Sequence, residues 1–134
     1  MRRLPAVLAL LVPSAALTGC SAPEAERTAV AAVAVRFAGH TAGAGRAAAC
    51  GLLAPATREA LARDPGPSCE AGLRDAALPA PGRIRTTDVY GHQARVVLER
   101  DTYFATRFPG GWKIRAAGCA PRPDRPYDCR VKGD

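Results

Sequence analysis

The stretch Gln93-Ala94-Arg95-Val96-Val97-Leu98-Glu99 sets the class of fold for the second half of the chain. Ala94, Val96 and Leu98 alternate with Arg95, Val97 and Glu99, and this period of two is typical of a half-buried β-strand. Similar segments flank it, separated by the turn residues Gly91-His92, Arg100-Asp101 and Pro109-Gly110-Gly111. The pattern predicts an antiparallel sheet of about four strands, over residues 83–90, 93–99, 102–108 and 112–118.

The third and fourth of these strands carry most of the large side chains. Phe104 and Phe108 should share one face of their strand, and Trp112, Ile114 and Ala116 should share one face of the next. We expect Phe104 and Trp112 to fill the core, with the alternative that they line a ligand cavity. From Cys119 onward the chain is rich in proline and predicts an irregular tail.

Helical periodicity dominates the first half. Apolar residues recur at helical spacing over 24–41, a second helix is predicted over 46–53, and a third begins at Pro55. Asp64-Pro65-Gly66-Pro67 predicts a loop, after which Ser68 can cap a short helix over 69–77. Helices followed by short antiparallel strands indicate an α+β domain with its helices on one face of a sheet.

The N-terminal segment has the pattern of an export signal. Arg2 and Arg3 precede an apolar run, Leu4–Leu17, that is too short to span a bilayer. The run ends in Leu17-Thr18-Gly19-Cys20, which resembles a bacterial lipobox. We therefore expect residues 1–19 to be a lipoprotein signal peptide, residues 20–24 a lipidated tether and residues 25–134 a single disulfide-bonded α+β domain. The alternatives are an ordinary secretory signal and a short membrane anchor.

Lipidation of Cys20 would place the domain on the outer face of the cell membrane, because two or more acyl chains anchor a protein stably. The formal charge is +7, and Arg2 and Arg3 would leave with the signal. The remaining basic residues are dispersed among acids, whereas nucleic-acid binding needs a basic stripe or patch. We expect the membrane as a partner and no nucleic acid.

Four cysteines remain besides Cys20: Cys50, Cys69, Cys119 and Cys129. An even number in a small exported domain predicts disulfides, and four cysteines allow three connectivities. Local pairing, Cys50 with Cys69 and Cys119 with Cys129, is the favoured one. The rival interpretation, a zinc site, lacks a C-x-x-C pair, and we expect no metal and no cofactor.

Several motifs of the second half resemble those of small lipoproteins of actinobacteria with an NTF2-like, or SnoaL-like, domain. The most specific is Gly111-Trp112-Lys113-Ile114-Arg115-Ala116-Ala117-Gly118-Cys119, and the others are Val89-Tyr90-Gly91, Asp101-Thr102-Tyr103-Phe104 and Arg125-Pro126-Tyr127-Asp128-Cys129. The resemblance implies helices packed on a curved antiparallel sheet that forms a cone. This fold hosts both enzymes and binding modules. The resemblance therefore implies fold and location better than activity.

Enzymes of that fold hold a carboxylate base and polar donors inside the cone, and the candidates in this chain are Asp88, Tyr90, His92, Asp101 and Tyr103. The alternative is that those near turns are solvated or cap backbone groups. The stretch 120–128 is the stronger candidate for binding, because prolines and a disulfide would stiffen it. Its binding residues would be Arg122, Asp124, Arg125 and Tyr127, and the alternative is that this stretch only covers the end of the sheet.

The sequence therefore predicts a non-enzymatic module that binds an envelope protein or a small apolar ligand. The alternative is an NTF2-like isomerase or hydrolase that acts on an exported small molecule.

Overall fold

A computed structural model of the chain describes residues 22–63 and 68–133. The signal peptide expected over 1–19, the lipidation site Cys20 and the loop expected over 64–67 lie outside the described residues. The elements run in the order α1 (Glu24–His40), a short 3-10 turn (Gly43–Gly45), α2 (Arg46–Gly51), α3 (Pro55–Arg63), α4 (Cys69–Ala76), β1 (Ile84–Tyr90), β2 (Gln93–Leu98), β3 (Thr102–Phe108), β4 (Gly111–Arg122) and β5 (Arg125–Lys132). The predicted α+β class is confirmed, and no described helix is long and apolar enough to cross a membrane.

Local sequence chemistry fixes where two of the helices begin. Pro55 is the first residue of α3, as predicted, because the N–H that it lacks has no intrahelical partner there. The Ser68 hydroxyl accepts a hydrogen bond from the Ala71 amide at 3.2 Å and caps α4. The Cys50–Cys69 disulfide joins α2 to this helix. The helix predicted over 46–53 ends earlier, at Gly51, because the next residues pair with the sheet.

The sheet is an antiparallel meander in the order β1-β2-β3-β4-β5, and the core lies between it and the helices. Ala94, Val96 and Leu98 are buried, as their alternation predicts, and they join the buried side of α1 in one cluster. Phe37 of α1 packs edge-to-face on Tyr103 of β3, with ring centroids 5.3 Å apart. One face of the sheet is therefore covered by helices.

The sheet has five strands where four were predicted, and the irregular tail predicted from Cys119 onward is wrong. Residues 111–132 instead form the long β4–β5 hairpin. Its prolines sit where a sheet tolerates them: Pro121 at a shift of register, Pro123 in the turn and Pro126 on the edge strand. Asp124 follows Pro123 with φ of 51°, a pairing that type II turns favour.

A β-bulge in β4 overturns a second prediction. Phe104 pairs with Ala116 and Ala105 pairs with Ile114, so Arg115 is an extra residue in β4. A bulge reverses the alternation of the residues that follow it. Trp112 and Ile114 therefore belong to the core cluster, as expected, but Ala117 takes the core place predicted for Ala116.

The first half of β4 has a short partner from the helical half. The Ile114 amide donates to the Leu52 carbonyl at 2.9 Å, and the Ala54 amide donates to the Ile114 carbonyl at 2.7 Å. This segment covers the edge of β4 before β5 begins to pair at Ala116. Covering an edge protects it from pairing with other chains.

Candidate functional site

The sheet face opposite the core cluster carries a pocket of about 340 Å³. Its apolar wall and floor are Phe104, Ala116, Pro126 and Tyr127, and its cations are Arg115 and Lys132. Cys129 and Gly133 complete the lining. We call this the sheet-face pocket. Phe104 points into it because the neighbouring Tyr103 and Ala105 point into the core, and successive residues of a strand face opposite sides.

Two aromatic rings form the wall of the sheet-face pocket. The centroids of Phe104 on β3 and Tyr127 on β5 lie 5.0 Å apart, with an interplanar angle of 75°. Because β4 lies between these strands and neighbouring strands are about 4.8 Å apart, the two rings meet across β4. Phe104 was expected in the core, but the structure places it in the pocket, half-buried.

The bulge brings Arg115 into the same pocket as its neighbour Ala116, which a regular strand would not do. The Thr57 hydroxyl of α3 donates to the Arg115 carbonyl at 2.8 Å and holds this backbone in place. The guanidinium makes one hydrogen bond to a described residue, from Nη1 to Gln93 Oε1 at 3.3 Å. A guanidinium has five N–H donors, so most of those of Arg115 have no acceptor among the described residues, and the side chain is exposed.

Lys132 is the second cation, and it lies directly across from the pocket floor because it pairs with Ala116 in the β4–β5 register. Its ammonium has no hydrogen bond or ion pair with any described residue. No acid is present among the described residues that line the sheet-face pocket. The lining therefore combines an apolar wall with positive charge.

Asp88, a candidate base, is held by an ion pair beside the pocket. Its Oδ2 accepts from Arg95 Nη2 at 2.8 Å and from Nε at 3.3 Å. The hydrogen bond to Asp88 raises the pKa of the Arg95 guanidinium, and Tyr127 makes a smaller contribution in the same direction. The Arg95 guanidinium is therefore a neighbour of Tyr127.

The other candidates for chemistry are not brought together. Tyr90 is 66% exposed, His92 is exposed in the β1–β2 turn, and Tyr103 is fully buried against Phe37. Burial, with a smaller contribution from the Asp101 charge, raises the pKa of Tyr103. Within the described ranges, no three His, Cys, Asp or Glu side chains are grouped closely enough to hold a metal ion.

Asp101 lies instead at a second pocket, of about 380 Å³, next to the β2–β3 turn. Its carboxylate accepts from the amides of Thr102, Gly118 and Cys119, at 2.7, 3.1 and 3.0 Å. The other charged side chains of this pocket also bond to the protein: Glu99 accepts from the Arg83 amide, Arg100 donates to Ala80, and Arg130 donates to Ala77. These groups hold the fold together, so this pocket is the weaker candidate for a ligand.

The four residues predicted to bind fall at two different places in the hairpin. Arg122, Asp124 and Arg125 are exposed at its tip, and among the described lining residues of the sheet-face pocket only Tyr127 comes from this set. The Cys119–Cys129 disulfide joins β4 to β5, with the local pairing that the sequence favoured. Cys129 lines the sheet-face pocket, so the disulfide also fixes one of its walls.

Arg115, Ala116 and Lys132 were missed as site residues. Their one signal in the sequence is that Arg115 and Lys132 are cations, and cations are common on solvated surfaces. Comparisons of the chain with protein-family models, with curated proteins and with solved structures gave no match.

Proposed function

We propose that the mature chain is a lipid-anchored module of the cell envelope that binds a small ligand with an apolar part in the sheet-face pocket. The observation that carries this proposal is the pocket itself. Its volume of about 340 Å³ falls at the lower end of the range of small-molecule sites. Its wall of Phe104 and Tyr127 offers the aromatic surface that such sites use.

The cell-envelope location rests on two features. Leu17-Thr18-Gly19-Cys20 supports a lipid anchor, and the two disulfides are consistent with an oxidising compartment outside the cytoplasm. Cys20 precedes the first residue of α1, Glu24, by four residues. A tether of this length reaches at most about 14 Å, so the domain would work close to the membrane surface.

The NTF2-like cone belongs to this proposal as well. Its support is the layout of helices on one face of a five-stranded antiparallel sheet. The sheet-face pocket lies on the face away from the core cluster, so its ligand would enter without disturbing the helices.

A binding role is favoured over chemistry by how the polar groups are used. The carboxylates of Asp88 and Asp101 are both held by protein donors. The polar side chains of the sheet-face pocket are cations and a tyrosine hydroxyl, which suit recognition.

The test is calorimetric titration of the domain over residues 22–134 with 4-phenylbutanol, a neutral probe with a ring and a short chain. We expect saturable binding that Tyr127→Ala weakens about fivefold, because an aromatic contact contributes about 1 kcal/mol. Tyr90→Ala is the matched control, because Tyr90 is 66% exposed and does not line the pocket. Ala116→Leu, which fills the pocket floor, should abolish binding. Absence of saturable binding, or an equal loss in Tyr90→Ala, would contradict the proposal.

A further inference from the structure

The charges of the sheet-face pocket point to the chemical class of its ligand, an inference that rests on the function proposed above. We propose that the ligand is an amphipathic oxyanion, in which a carboxylate or phosphate is joined to an apolar ring or chain. Arg115 and Lys132 would hold the oxyanion, and Phe104 and Tyr127 would contact the apolar part.

Arg115 is the specificity-determining residue in this arrangement. Arg115 is the extra residue of the bulge, and the Thr57 hydroxyl holds its backbone carbonyl. Its side chain lines the pocket and has donors without an acceptor among the described residues. A guanidinium presents paired N–H groups that match the two oxygens of a carboxylate or phosphate. Its 3.3 Å hydrogen bond to Gln93 is long, so the guanidinium can exchange it for a better acceptor at small cost.

Lys132 adds a second positive charge at a position set by the sheet register. It pairs with Ala116, which adjoins Arg115 in β4, so the two cations flank the same part of the pocket floor. Two like charges repel each other, and an anion between them removes that repulsion as well as adding attraction. Asp88, an acid on β1, is already paired with Arg95.

The aromatic wall of the pocket selects for the apolar part of the ligand. Phe104 and Tyr127 meet edge-to-face, and Pro126 extends the apolar surface beside them. A ligand with charge alone would leave this surface exposed to water, whereas one with a ring or short chain would cover it. The pocket therefore fits an amphipathic molecule better than free inorganic phosphate.

The test compares three probes that share one ring and chain: 4-phenylbutyrate, 4-phenylbutyl phosphate and the neutral 4-phenylbutanol. Calorimetry should give at least one anionic probe an affinity about tenfold or more above that of the alcohol, because two charge-assisted contacts are added. Which anion binds more tightly identifies the head group as carboxylate or phosphate.

Variants that remove one positive charge show which residues cause the preference for an anion. Arg115→Gln and Lys132→Gln should each weaken binding of the preferred anion about three- to tenfold and leave binding of the alcohol unchanged. Arg125→Gln is the control, since it removes the same unit of charge from the exposed hairpin tip. The affinity of Arg125→Gln for the anions should stay within about twofold of wild type, because Arg125 does not line the sheet-face pocket and its charge is screened by salt.

These measurements test the ligand class separately from the binding function. Equal affinity for the alcohol and both anions, or an equal loss in Arg125→Gln, would overturn the ligand class and leave the binding function standing. Failure of all three probes to bind would overturn both.

Discussion

Burial and hydrogen bonding have opposite effects on the pKa of Asp101. Asp101 is 8% exposed, and its carboxylate accepts hydrogen bonds from three backbone amides, one from β3 and two from β4. Burial raises the pKa of Asp101, and the amide hydrogen bonds offset only part of that rise. The sequence placed Asp101 at a turn, but it could not show that β4 would supply two donors from the opposite side.

The raised pKa of Asp101 has a defined sign for stability. The folded chain holds the proton more tightly than the unfolded chain, so this group contributes most below its unfolded pKa, and the contribution is lost as pH rises through the folded pKa. The free energy of unfolding of wild type minus that of Asp101→Asn should therefore fall as pH rises across this window. Urea denaturation at several pH values measures it, and a difference that rises with pH would show that the amides dominate instead.

At the scale of elements, regular patterns were predictable and their interruptions were not. The alternation in β2 and the cap at Ser68 arise from neighbouring residues, so the sequence predicted both. The β4–β5 hairpin was missed because prolines usually interrupt strands, and only the register shows that these occupy permitted positions. The bulge at Arg115 arises from pairing with β3, a contact between distant residues, and it leaves no local pattern.

Helix α1 is also joined to the sheet by the carboxylate of Glu26, which no pattern in the sequence distinguishes from other surface acids. Glu26 Oε2 accepts from the Trp112 indole N–H at 2.9 Å, and its Oε1 lies 3.1 Å from Arg107 Nη1. Trp112 is 5% exposed, so its N–H depends on this partner. A buried donor without an acceptor lowers the stability of the fold. The hydrogen bond from Trp112 to Glu26 therefore stabilises the packing of α1 on the sheet.

Glu26→Ala should therefore lower the free energy of unfolding by about 1–2 kcal/mol, because it leaves the indole N–H without its acceptor. Glu24→Ala is the matched control in the same helical turn, and its exposed pair with Arg27 should contribute no more than about 0.5 kcal/mol. Urea denaturation followed by the fluorescence of Trp112 measures both variants. Similar losses in the two would show that the hydrogen bond from Trp112 to Glu26 is not a stabilising one.

At the scale of the whole molecule, the proposed anchor and the domain use different cysteines. The four cysteines beyond Cys20 pair with one another in two disulfides, so the domain does not need Cys20 for a bridge. Because Cys20 has no part in a disulfide, its lipidation would not change the fold of the domain.

Cys20→Ala should consequently abolish membrane attachment, or stall processing of the precursor, while both disulfides still form. Mass spectrometry of the membrane fraction should find wild-type chains that begin at an acylated Cys20. Membrane-bound mature chains of Cys20→Ala, or loss of a disulfide in that variant, would contradict this assignment of the cysteines.

Locating a bound probe tests whether the ligand binds on the sheet face. Amide chemical shifts of the domain over residues 22–134 should change on titration with 4-phenylbutanol or 4-phenylbutyrate. We predict that the largest changes fall on Phe104, Ala116 and Tyr127. Shift changes centred instead on the β2–β3 turn around Asp101, or no saturable changes at all, would contradict the account.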